Sequence, residues 1–164
     1  MIQVRIVGLA IDSRSQPVII LKPISAEPGE GKLLPIWIGH QEATAILLAI
    51  EGDEPPRPLA HDLMKSMLEA LHATVERVEI TRLEEGTFYA EITVRAPDGV
   101  HVLDARPSDS IALATRVGAP VWVAEEVLEE AGVPDESETG PDEEAELAAF
   151  SEFLETVDPE DFQG

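Results

Sequence analysis

The chain has 164 residues, of which 44% are hydrophobic, only 4% are aromatic and none is cysteine. This composition excludes a disulfide framework and a thiolate metal site, and the longest apolar run, residues 45–50, is too short to span a bilayer. The charge is uneven, because residues 125–164 hold 16 of the 33 acidic side chains and none of the 11 basic ones. We therefore expect a cytoplasmic protein with an aliphatic core and a strongly acidic tail, which argues against a plain nucleic-acid-binding module.

The first fifty residues have the pattern of three strands followed by a helix. Alternation of apolar and polar residues predicts strands near 2–6, 17–21 and 33–38. From His40 onwards the apolar spacing becomes helical, and Gly52 is a typical stop signal.

A second, amphipathic helix is predicted from about Pro58. Its apolar face consists of Leu59, Leu63, Met64, Met67, Leu68 and Leu71. Its polar face consists of His61, Asp62, Lys65 and Glu69. Because amphipathic helices usually bury their apolar side, we expect His61 and Asp62 to face solvent.

The next segment repeats the order of the first, with three predicted strands followed by a helix. An offset of 67 residues aligns Gly39 with Arg106 at the strand–helix junctions, and an acid follows three residues later in each copy, at Glu42 and Asp109. We therefore predict an α+β fold in which duplicated β-β-β-α units form a mostly antiparallel sheet with packed helices.

The end of the chain departs from this repeat. A short strand and a short helix that stops at Gly132 complete a predicted domain of residues 1–132. Residues 133–142 are predicted to be an acidic linker, and residues 143–164 a C-terminal helical extension. The stripe of Leu147, Phe150 and Leu154 in that extension needs a surface to pack against.

Three short pieces place charge at the start of a helix, and they contain Glu42, Arg57 to Asp62, and Asp104 to Asp109. An acid in the first turn faces the positive end of the helix dipole, so helix-terminus chemistry alone can explain Glu42 and Asp109. It does not require the two arginines, or His61 beside Asp62. If the two units pack by pseudo-symmetry, these charged groups converge on one cleft.

The same pieces carry a family resemblance. The chain resembles the bifunctional nuclease domain family in Leu-Pro-Ile-Trp-Ile-Gly at 34–39 with Glu42, in Arg-Pro-Leu-Ala-His-Asp-Leu at 57–63, and in Asp-Ala-Arg-Pro-Ser-Asp-Ser-Ile-Ala-Leu-Ala at 104–114. The resemblance covers residues 1–132 and follows the family's order. It implies an α+β fold, a homodimer or higher homo-oligomer, and a nuclease activity on RNA and DNA, with no role at a membrane.

One hypothesis is therefore phosphodiester hydrolysis assisted by a divalent metal. Carboxylates that hold Mg²⁺ or Mn²⁺ can activate water and neutralise charge on phosphoryl oxygens. The candidate metal ligands are Glu42, Asp62, Asp104 and Asp109. The candidate catalytic residues are His61, as general base or acid, with Asp62, Asp104 and Asp109, while Arg57 and Arg106 would bind the substrate phosphate.

The alternative hypothesis is a non-catalytic oligomeric module that binds a protein or a small ligand. In that case the arginines and aspartates would form a salt-bridge network that fixes the strand–helix junctions or a subunit interface. The acidic tail would then recruit basic partners.

Overall fold

The computed structural model describes residues 1–136 and Leu154. Within them the chain forms eight strands and four helices, and no helix there is long and apolar enough to cross a membrane. The strands are β1 (Ile2–Ile11), β2 (Pro17–Pro23), β3 (Lys32–Trp37), β4 (Thr74–Glu84), β5 (Thr87–Ala96), β6 (Gly99–Ala105), β7 (Val121–Val123) and β8 (Val133–Pro134). The helices are α1 (His40–Glu51), α2 (Ala60–Ala70), α3 (Pro107–Val117) and α4 (Glu125–Ala131).

All eight strands belong to one sheet with the order β6-β5-β4-β7-β1-β2-β3-β8. Each predicted unit forms an antiparallel meander, β1-β2-β3 or β4-β5-β6. The three residues of β7 lie between the meanders, antiparallel to β1 and parallel to β4. The predicted α+β fold with a mostly antiparallel sheet is confirmed.

The equivalent helices α1 and α3 begin and end in the same way. Their N-caps are Gly39 and Arg106, both in extended backbone, as the 67-residue offset predicts. They end at Gly52 and Gly118, where φ values of 72° and 71° favour glycine because a Cβ would be strained. The two helices also pack against each other, which brings their N-terminal junctions together.

The sheet has a hydrophobic cluster on each face. The main core lies between the sheet and the helices, and a second cluster covers the opposite face around β2. Strand β2 is buried along its whole length because Ile19 and Leu21 enter the first cluster while Val18 and Ile20 enter the second. Leu154 is fully buried in the second cluster, as the packing argument predicts, whereas Leu147 and Phe150 lie outside the described residues.

A buried ion pair fastens the chain where it leaves the sheet. Strand β8 pairs with β3, and Asp135 just after it contacts the fully buried Lys22. Lys22 Nζ also donates to the carbonyl of Glu27 at 2.7 Å, and the carboxylate of Asp135 accepts the N–H of Gly29 at 3.0 Å. These partners offset the cost of burying the two charges, and they tie the Gly- and Pro-rich loop to the end of the sheet.

Helix α2 is oriented against expectation. His61 is its one buried residue among those described, while Leu63, Met67 and Leu71 are 52%, 56% and 66% exposed. The prediction that the apolar face packs inward and His61 faces solvent is therefore wrong. The physical reason is that polar pairs to α3, at His61 and Asp62, hold the inner side of this helix.

Candidate functional site

Four side chains form a continuous series of polar contacts where the helices begin. His61 Nε2 lies 2.9 Å from Asp109 Oδ1, and Arg106 Nε donates to Asp109 Oδ2 at 2.8 Å. Arg106 Nη2 donates in turn to Glu42 Oε1 at 3.0 Å. We name His61, Asp109, Arg106 and Glu42 the junction cluster, because it connects the N-terminal ends of α1, α2 and α3.

The local sequence explains why these acids point towards one another. Glu42, Asp62 and Asp109 are each the third residue of a helix. Asp62 uses this position to cap its own helix, since its Oδ2 accepts the backbone N–H of Leu59 at 2.9 Å. Glu42 and Asp109 instead contact Arg106, which occupies the N-cap of α3.

Gly39 makes room for one arm of the cluster. A Cβ built at Gly39 would collide with Oε2 of Glu42, because this carboxylate folds back over the start of α1. The absence of a side chain at Gly39 therefore permits the Glu42 conformation that contacts Arg106.

The charge state of Asp109 determines the protonation of His61. Burial alone would raise the pKa of Asp109, but hydrogen bonds from Arg106 and His61 outweigh it and hold that pKa below its ordinary value. Asp109 in turn raises the pKa of Arg106. An ionised carboxylate can only accept, so the proton in the contact between His61 and Asp109 is carried by Nε2 of the imidazole. In a neutral imidazole Nδ1 is then the nitrogen that can accept another proton.

The junction cluster lines a cleft of about 450 Å³ between α1 and α2. The remaining lining residues are apolar or uncharged, and they are Gln41, Thr44, Ala45, Leu59, Ala60 and Met64. Arg106 contacts its acidic partners through Nε and Nη2, and its Nη1 makes no hydrogen bond within the described residues. The cleft therefore combines an apolar wall with an imidazole and a guanidinium that has donors to spare.

Asp62 lies outside this cluster. Its Oδ1 accepts a hydrogen bond of 2.8 Å from Arg116 Nε, and Arg116 Nη1 donates to the carbonyl of Ala112. The hydrogen bond from Arg116, followed by that from the Leu59 backbone, lowers the pKa of Asp62. Asp62 thus fastens α2 to α3, two helical turns from the junction cluster.

Asp104 and Arg57 are not joined to the cluster either. Asp104 is exposed on the edge strand β6, opposite Glu91, and Arg57 is exposed in the segment before α2. The structure therefore brings together four of the seven predicted site residues. They are Glu42, His61, Arg106 and Asp109.

The predicted metal ligands do not form a set within one copy of the chain. In residues 1–136, no group of three or more His, Asp or Glu side chains is placed to hold a metal ion. Glu42 and Asp109 share the guanidinium of Arg106, Asp62 is taken by Arg116, and Asp104 is remote. This donor arrangement does not fit the predicted site.

Arg116 is the functional neighbour that sequence reasoning missed. It lies seven residues after Asp109 in α3, which places both side chains on the same helix face. That spacing was the available signal, since a helix packed on this face and carrying adjacent His61 and Asp62 can contact both.

Comparison with known proteins gives three findings. Residues 24–136 match the family described as "Bifunctional nuclease domain". An uncharacterised protein of Mycobacterium tuberculosis is 44% identical over 167 aligned positions, which cover 98% of each chain. Bifunctional nuclease 1 of Oryza sativa subsp. japonica is 30% identical over 115 positions, and bifunctional nuclease 1 of Arabidopsis thaliana is 28% identical over 116. Each plant alignment covers 68% of this chain but 34% of the plant protein.

Proposed function

Because this chain belongs to the bifunctional nuclease domain family, we propose that it is a nuclease that hydrolyses phosphodiester bonds in RNA and DNA. We place its catalytic centre at the junction cluster. One observation carries this assignment, namely that His61, Asp109 and Arg106 are hydrogen-bonded in series along the wall of a cleft.

In this mechanism His61 is the general base. Asp109 accepts the proton-bearing Nε2, which leaves Nδ1 to take a proton from water as the water oxygen bonds to phosphorus. The negative charge of Asp109 stabilises the imidazolium that forms. When the bond from phosphorus to the leaving sugar oxygen breaks, the imidazolium returns the proton to that oxygen, so His61 ends the cycle neutral.

Arg106 is the group that binds the phosphoryl oxygens. Its Nη1 can donate to a non-bridging oxygen while Nε and Nη2 remain held by Asp109 and Glu42. The apolar wall at Leu59 and Met64 offers contact to a base or sugar of the same nucleotide. Asp109 and Glu42 therefore act as positioning residues, one for the imidazole and both for the guanidinium.

No step is routed through a metal ion, because the described donors do not assemble a site for one. Assistance by Mg²⁺ or Mn²⁺ stays a prediction, and cleavage assays with each ion and with a chelator test it. Activity that survives chelation supports the metal-free role of His61, whereas activity lost on chelation and restored by Mg²⁺ or Mn²⁺ supports the metal.

The deciding experiment compares two histidine–aspartate pairs. His101 Nε2 lies 2.8 Å from Asp98 Oδ1 on the surface, so His101→Asn is a matched control for His61→Asn. We expect His61→Asn to lower the cleavage rate of single-stranded RNA and DNA by about 100-fold or more, and His101→Asn to leave it unchanged. Full activity in a folded His61→Asn protein would refute the proposed centre.

Arginine variants test the phosphate role in the same assay. Arg106→Gln should raise KM and lower kcat, because both substrate binding and charge stabilisation are lost. Arg95→Gln is the control, since Arg95 is exposed and paired with Glu76 in the same way. Equal kinetics for the two variants would contradict the assignment of Arg106.

The charge balance of the cluster favours a second candidate, the non-catalytic module. Two carboxylates face one guanidinium, so the cluster is net negative when His61 is neutral, which opposes phosphate binding. Under this hypothesis the cluster only joins the helix ends. Purified protein without nuclease activity, together with a large loss of unfolding free energy in Asp109→Asn, would decide for it.

A further inference from the structure

The outward face of α2 carries no charged side chain. Its exposed residues are Ala60, Leu63, Met64, Ser66, Met67, Ala70 and Leu71. The charged residues Lys65 and Glu69 lie on the other side, where they line a hollow beside Arg116. In a chain with 27% charged residues and a net charge of −22, an exposed helix face without charge is a sign of an interaction surface.

We propose that this face of α2 is where two copies of the chain associate. A basic partner would be recognised by carboxylates and a phosphate backbone by cations, but the face has neither. Two copies that each carry −22 repel each other, so they can approach closely only through an uncharged surface. The chain's own tail is directed elsewhere at its one described residue, since Leu154 is buried in the cluster on the opposite face of the sheet.

The spacing of the large side chains suits pairing with an identical helix. Leu63, Met67 and Leu71 are four residues apart and form one ridge along α2. Two such ridges interdigitate at a crossing angle of about −50°, and a two-fold axis then passes close to the central residue, Met67. With Leu59 and Met64, each copy offers on the order of 500 Å² of partly exposed apolar surface. Two copies would bury about 1,000 Å² in total, which is the lower limit for a specific interface.

The interface would border the proposed active site. Leu59 and Met64 belong both to this face and to the lining of the cleft. A second copy therefore covers the apolar edge of the cleft and holds α2, with its His61, in place. The association itself does not depend on the proposed nuclease function, so it is tested without any activity assay.

The first test is the oligomeric state by sedimentation equilibrium. Met67→Lys is exposed in one copy, so the variant should keep its fold and circular dichroism while it becomes monomeric. Leu47→Lys is the matched control, since Leu47 is an exposed leucine on α1, and it should stay dimeric like the unaltered protein. A monomeric unaltered protein would overturn the proposal, and so would a dimeric Met67→Lys variant.

The second test uses the absence of cysteine from the sequence. Met67→Cys introduces a single thiol, which should form an intermolecular disulfide under mild oxidation because two copies meet at this residue. Leu47→Cys, oxidised in parallel, should remain reduced or cross-link far more slowly. Equal cross-linking of the two variants would exclude an axis at Met67. Dissociation of the dimer by Val102→Lys on the edge strand β6, with Met67→Lys still dimeric, would also overturn the proposal.

Discussion

Arg106 is the residue through which the first helices of the two units contact each other. The duplication aligns it with Gly39, so the same position holds a guanidinium in one unit and bare backbone in the other. These two choices are complementary, because Glu42 can fold over Gly39 only where no Cβ is present, and from there it reaches Arg106. Equivalent positions in the repeat have thus become two parts of one site.

This arrangement predicts the effect of Gly39→Ala. The new Cβ should displace the carboxylate of Glu42 from Arg106, while the fold survives because Gly39 has an ordinary extended φ of −73°. We expect Gly39→Ala and Glu42→Gln to lower the cleavage rate by the same factor. The double variant should be no slower than either single variant, since both remove one contact.

A double-variant cycle of cleavage rates checks this expectation, with thermal unfolding as the control for stability. Additive losses in the cycle would show that Gly39 acts by another route than Glu42.

At the scale of single elements, α2 depends on polar contacts more than on apolar packing. Asp62→Asn leaves the guanidinium of Arg116, which is 7% exposed, with a weaker partner. We expect a loss of about 1–3 kcal/mol in the free energy of unfolding at pH 7. The exposed Asp104→Asn change on β6 is the control and should cost little.

The loss should depend on pH in a defined direction. Arg116 lowers the pKa of Asp62 in the folded protein, so the stabilisation is complete above the unfolded pKa of about 3.9 and disappears as the pH falls through the folded value. Urea unfolding at neutral pH and at several values below pH 4 should show the difference between unaltered protein and Asp62→Asn closing on acidification. A difference that stays constant down to the lowest pH would contradict this assignment.

The elements were predictable from the sequence, but the rotation of α2 was not. Alternating and helical spacing locate the strands and helices, and the junctions at Gly39 and Arg106 have the predicted register. Amphipathicity predicts which face of α2 is apolar, but it cannot tell a core from an interaction surface. The placement of His61 and Asp62 depends on partners in α3, at Asp109 and Arg116, which are distant in sequence.

For the whole molecule, the uneven charge predicts how the tail affects substrate binding. Residues 133–135 are held by β3 and Lys22, so the informative truncation removes residues 137–164, which hold ten acidic and no basic side chains. The truncated protein should bind RNA more tightly than the full chain at low salt, and equally at high salt, because screening removes the long-range repulsion.

A packing variant separates charge from stability in this experiment. Leu154→Ala keeps the charge but empties part of the second cluster, so it should cost about 2–5 kcal/mol of stability and leave RNA affinity unchanged. Equal RNA binding by the truncated and full-length proteins at low salt would show that the field of the tail does not reach the site.

The position of β7 has a consequence for how the protein is made. Within the sheet the two meanders are joined by β7 alone, and its residues follow both units in the chain. A nascent polypeptide that has left the ribosome only as far as α3 therefore has both meanders, but β1 and β4 still expose unpaired edges. The sheet becomes continuous only when Val123 emerges and pairs with Ile2, close to the start of translation. Until then the two open edges are the places where neighbouring nascent chains could pair wrongly, so protection by chaperones matters most over this interval of synthesis.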